Sequence, residues 1–75
     1  MSDLQKVPAS VQKQYAGLYG AFVSGDYGIG DTVSVPGTTG EVIWSFASAS
    51  GLTYVVDDKS GFPVEVKAYE VRQAK

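Results

Sequence analysis

Residues 27–56, YGIGDTVSVPGTTGEVIWSFASASGLTYVV, restrict the fold more than any other part of this chain. Apolar side chains recur there every second residue in three bursts, separated by turn-forming or small residues. A period of two marks an extended strand with one face buried. The first burst is residues 31–35, DTVSV, with Val33 and Val35 on one face. Pro36 and Gly37 follow it. Proline presets φ and glycine supplies a positive φ, which is what a type II turn requires. The second burst, residues 40–46, GEVIWSF, is expected to place Val42, Trp44 and Phe46 together on the core face, with Glu41, Ile43 and Ser45 opposite. Residues 47–51 read as a loop of small residues. The third burst, residues 52–57, LTYVVD, puts Leu52, Tyr54 and Val56 on one face and Val55 on the other. Trp44 and Tyr54 are expected to be cross-strand neighbours in the core.

On either side of this stretch the pattern changes. Residues 57–61, DDKSG, form a polar turn. Residues 62–68, FPVEVKA, read as a fourth strand with Val64 and Val66 inward and Glu65 and Lys67 outward. Pro63 lacks an N–H and suits an edge. Tyr69 and Val71 are expected to plug the open end, and residues 72–75 to be tail. Upstream, residues 1–9 read as a flexible lead. A helix is expected over residues 10–24, started near Pro8 or Ser10 and stopped by Gly25. Val11, Tyr15, Leu18 and Phe22 make one apolar stripe along it, at spacings of four, three and four. Gly17 and Gly20 weaken this helix by about 1 kcal/mol each relative to alanine. Something must therefore cover the stripe, either its own sheet or another copy of the chain. Those four residues are the candidate helix-packing or oligomer contacts.

The sum is a mainly β domain: four to five short antiparallel strands in residues 27–72 behind an N-terminal α-helix. Turns every eight to twelve residues favour a small barrel. A chain of 75 residues is one domain and buries a small core. It contains no cysteine and no histidine, so neither a disulfide nor an imidazole or thiolate metal site supports it. Small domains without such staples often associate to complete a core, which favours a homo-oligomer. The same two absences exclude Ser-His-Asp and Cys-His nucleophile systems.

The net charge is −2 and the six basic residues are scattered. Binding to a nucleic-acid backbone needs clustered Lys and Arg, so that function is disfavoured. No apolar run reaches the roughly 20 residues of a membrane span. The N-terminus carries no secretory signal pattern, and the expected location is cytoplasmic.

Gly28 and Gly30 precede a strand rather than a helix, so they are turn glycines and not a dinucleotide fingerprint. Asp57 and Asp58 lack the ligand ladder of a calcium loop and read as a solvated turn. No catalytic, metal or cofactor-binding residue is assigned. Tyr27 and Phe62, beside loops, are the candidate exposed aromatics for a protein or peptide partner.

The order of Gly30, Asp31, Thr32 and Val33, then Gly40, Glu41 and Val42, then residues 51–56, then Glu70 and Val71, resembles the SH3-like small β-barrels over about residues 27–72. Within that group, Phe22 and Val23 followed by residues 27–33, YGIGDTV, are similar to the entry segment of the plasmid-borne type II dihydrofolate reductases. That resemblance implies a homotetramer with one central pore. The family's pore binds NADPH and dihydrofolate through a V-Q-I-Y strand and a lysine after a G-D-R-V segment. Here the strand reads Val64, Glu65, Val66, Lys67, and no lysine follows Val33 directly. Four copies of Glu65 in a pore would repel a phosphorylated cofactor, and four copies of Lys67 would offset them. The resemblance thus carries over a fold and an assembly, and no catalytic residue. The expected function is a non-catalytic binding or assembly module that self-associates. A pore-type oligomeric reductase is the alternative, and Glu65 and Lys67 are the surface residues on which it would depend.

Overall fold

A computed structural model describes residues 7–59 and 62–74. The expected leading residues 1–6, Ser60 and Gly61 of the polar turn, and the final Lys75 lie outside the described residues. The fold is mainly β. Helix α1 (Ala9–Leu18) precedes strands β1 (Thr32–Val35), β2 (Thr38–Ser48), β3 (Gly51–Asp57) and β4 (Val64–Lys67). A single 3-10 turn (Ala68–Glu70) then leads into β5 (Arg72–Gln73). All pairings are antiparallel, in the order β4-β3-β2-β1-β5. Among the described residues β4 and β5 are the two edges, and no pairing joins them. The sheet is therefore not closed by any pairing among the described residues, and of the small β-barrel expected from the turn spacing the antiparallel five-stranded sheet is present.

β2 is the spine, longer than its sequence pattern suggested because residues on both flanks continue the ladder. Thr38 and Thr39, expected to finish the turn, already pair with Val35 and Ser34. Ala47 and Ser48, expected in the loop, pair with Leu52 and Gly51. Past the end of β1, the lead-in takes over the same edge of β2. Gly30 N donates to Val42 O at 2.8 Å and Val42 N to Asp31 O at 2.9 Å. Phe22 bridges Phe46, and Val23 N donates to Ser45 O at 3.0 Å. Only two strand residues, Arg72 and Gln73, pair with β1 at the far edge, so the expected tail is a strand.

One residue in β2 reorganises the core. Val42 faces Val56, but Trp44 faces Val55, so Ile43 is an extra residue on the β2 side. Such a bulge breaks strict alternation. Val42 therefore leaves the face it was expected to share with Trp44 and Phe46. It joins Val33, Val35, Tyr54, Val56, Val66 and Val71 in one buried cluster, with Tyr27, Leu52 and Ala68 against it. Trp44 and Phe46 join Val7, Ile29 and Val55 in a second cluster. The β3 pattern held: Leu52, Tyr54 and Val56 serve the first cluster and Val55 the second. Trp44 and Tyr54 are thus not cross-strand neighbours; Tyr54 sits opposite Ser45. Ser45, expected on the solvent side, is buried, and its hydroxyl donates to Val23 O at 2.7 Å. Val66, from one edge strand, and Val71, just ahead of the other, meet in the first cluster, so the sheet curls around it.

The helix lies over the second cluster and is shorter than expected. Pro8 stands at its N-cap, with its carbonyl accepting from Val11 N and Gln12 N. Ser10 lies within the helix. The chain leaves the helix at Gly20, whose φ of +128° is open to glycine and strained for other residues. Phe22, beyond that break, still reaches the cluster, edge-on to Trp44 at 5.3 Å between ring centres. Gly25 serves as a site of close approach instead of a helix stop. A methyl group there would collide with Leu52 Cδ2 and Tyr54 Oη. Val7, expected in the flexible lead, is buried, and its carbonyl accepts from Gln12 Nε2 at 2.8 Å.

Candidate functional site

The residues singled out from sequence separate into three places. Val11, Tyr15 and Phe22 pack against the second cluster, with Tyr15 edge-on to Trp44 at 5.5 Å. Leu18, the fourth of that stripe, is 67% exposed. The line actually used runs Val11, Tyr15, Tyr19, at strict spacings of four. Tyr19 stacks on Phe46 at 5.8 Å with the ring planes 20° apart. Sequence reasoning passed over Tyr19 although it stands four residues after Tyr15.

Tyr27 lies in a second place. It is half-buried, edge-on to Tyr54 at 5.7 Å, and its backbone N–H donates to Tyr54 Oη at 3.3 Å. The ring therefore helps to close the first cluster.

The third place is the open edge of the sheet. Among the described residues β4 pairs with β3 on one side only, with Glu65 opposite Val55 and Lys67 opposite Thr53. Alternation along a strand puts Glu65 and Lys67 on one face, that of Val55 and the second cluster. Both are exposed. Val66 points to the other face and is buried, whereas Val64, expected inward as well, is 40% exposed at the strand's start. Two exposed aromatic residues flank the strand along the chain, Phe62 at 78% and Tyr69 at 73% exposure. Tyr69 does not plug an open end; the 3-10 turn holds it outward, and Val71 alone enters the core. Scattered exposed apolar residues are ordinary, but here two aromatic residues and a valine fall within two residues of a strand edge that is unpaired among the described residues.

Electrostatics tie this edge to the helix. Burial pushes the Tyr19 phenol above its ordinary value, and the negative charge of Glu65 and the neighbouring Tyr15 add to it. Glu65 thus acts on the aromatic cluster from the sheet edge.

Elsewhere an open cleft of about 310 Å³ lies between the β1–β2 turn and the end of β3. Glu41 and Asp57, paired on the adjacent strands β2 and β3, line it together with Asp58 and Lys59. Asp57 Oδ1 accepts from Lys59 N at 2.8 Å, so this carboxylate shapes the turn. No cluster of three or more acidic, histidine or cysteine residues suited to a metal occurs among the described residues. Nor is any described helix long and apolar enough to cross a membrane. Compared with protein-family models, curated proteins and solved structures, the chain matches none.

Proposed function

We propose that this protein is a small non-catalytic binding and assembly module that self-associates. The observation that carries this reading is the β4 edge, unpaired among the described residues, with Val64 exposed on it and Phe62 and Tyr69 exposed just beyond its ends. A bare strand edge offers a row of backbone donors and acceptors, and exposed rings offer apolar area to a partner. The size of the chain supports the same reading, since small domains without disulfides or metals often complete themselves by association. Within this proposal the curled sheet is an SH3-like small barrel. The antiparallel strand order, the 3-10 turn between the last two strands and the meeting of Val66 with Val71 support it. Light scattering on the full chain tests the reading. An oligomer at micromolar concentration is expected, and a monomer up to millimolar concentration would overturn self-association.

A second reading is a pore-type reductase related to the type II dihydrofolate reductases. The joint exposure of Glu65 and Lys67 on one face of β4 favours it, because a pore would need such a pair at its wall. It requires NADPH oxidation that depends on dihydrofolate and is lost in Lys67→Ala. Absence of turnover in the purified assembly would remove it.

A further inference from the structure

The geometry points to a specific mode of self-association: two copies join β4 to β4, antiparallel about a two-fold axis through Val66, with Glu65 of each copy opposite Lys67 of the other. This rests on the assembly reading above and names its interface. A two-fold pairing of identical antiparallel strands must be centred on a residue, because directly opposed side chains share a face. The charges on β4 select among the possible centres. Centring on Glu65 or on Lys67 sets like charges directly opposite each other, which is unfavourable. Centring on Val64 brings Pro63, which has no N–H to donate, into the ladder. Centring on Val66 sets Glu65 against Lys67 twice, on the face both side chains already share.

Charged residues on an edge strand commonly deter pairing with other chains. Here the two charges are of opposite sign and two residues apart, so together with Pro63 they leave one favoured centre. The exposed rings lie beyond the paired residues: Phe62 is two residues before β4 and Tyr69 two after it, and a ladder centred on Val66 sets position 62 opposite 70 and position 69 opposite 63. The axis is perpendicular to the sheet, so the helices of both copies lie on the same face as Glu65 and Lys67.

Charge reversal tests this register. Glu65 and Lys67 are exposed and outside both buried clusters, so Glu65→Lys and Lys67→Glu leave the fold intact, as far-ultraviolet circular dichroism would verify. Each variant alone carries like charges at both paired positions and is expected to associate at least tenfold more weakly than the wild type. A one-to-one mixture restores opposite charges at both positions. With one variant isotope-labelled, native mass spectrometry is expected to show a mixed dimer in excess of either homodimer. The double variant Glu65→Lys/Lys67→Glu is expected to recover wild-type association. A wild-type oligomer unchanged by either single reversal would overturn this interface and leave self-association standing. A monomeric wild type would overturn both.

Discussion

The indole Nε1 of Trp44 donates to the carbonyl oxygen of Gly20 at 3.0 Å, pinning the chain where it turns out of the helix. Trp44 is 1% exposed and has Tyr15 and Phe22 edge-on to its ring. Trp44→Phe removes the donor and leaves the Gly20 carbonyl short of a partner, at a cost of about 1–3 kcal/mol. Trp44→Ala costs about 3–5 kcal/mol, a large share of the stability of so small a domain. Urea unfolding followed by circular dichroism measures both. Equal midpoints for wild type and Trp44→Phe would show that the hydrogen bond contributes nothing.

Gly25 lies against the ring of Tyr54, whose hydroxyl accepts from Tyr27 N. Tyr54 is fully buried and has little room to yield. Gly25→Ala therefore costs about 1–3 kcal/mol through overpacking. In a Tyr54→Phe background part of the collision is gone, and the penalty of Gly25→Ala is expected to shrink. A double-mutant cycle reads this coupling, and strict additivity would contradict it.

Tyr19 sets a limit at high pH. Burial, then the charge of Glu65, then Tyr15 raise its phenol above the ordinary value. The folded state therefore holds this proton more tightly than the unfolded chain does. Its contribution is fully present below the unfolded pKa of about 10 and is lost as pH rises through the higher folded value. In a spectrophotometric titration, one of the five tyrosines is expected to ionise late, and Tyr19→Phe removes that component. Glu65→Gln should bring it earlier. A titration unchanged by Tyr19→Phe would show that another phenol is the late one.

Leu18 and Tyr15 provide a contrast on one helix. Leu18 is 67% exposed, so Leu18→Asp is expected to change stability by less than about 0.5 kcal/mol. Tyr15→Ala strips the cover from Trp44 and should cost about 2–4 kcal/mol, as loss of a packed aromatic does. Thermal melting separates them. A large drop in Leu18→Asp would mean that its exposed side chain is covered in an assembly, which a parallel mass measurement would reveal.

The strands themselves were legible because period-two alternation survives in residues 31–35 and 52–57, and because Pro36 and Gly37 stand where the first hairpin reverses. The helix was legible in kind but not in length. Phe22 kept the spacing of the stripe although the helix ends before it, since an extended chain after Gly20 can deliver the same ring to the same place. Two things were hidden. The parity change at Ile43 leaves no mark in composition, because Val42, Ile43 and Trp44 are all apolar and any of them suits either face. The edge position of β4 depends on which strand pairs with which. The alternation of Val64, Glu65, Val66 and Lys67 shows two faces but not that one side of the ladder is empty. The two-residue strand β5 is too short to generate a period at all.

The bulge makes deletion at position 43 and deletion at position 45 very different events. Ile43 is half-buried, and exchanging it for another apolar residue changes a local contact. Because Val42 and Trp44 already face the consecutive residues Val56 and Val55, deleting Ile43 would close the bulge and leave Trp44, Ser45 and Phe46 opposite the same β3 partners. Deleting Ser45 instead would bring Phe46 opposite Tyr54 and carry its ring away from the aromatic cluster to the other face. Protein lineages that carry this fold should therefore tolerate the loss of a residue at position 43 and not at position 45.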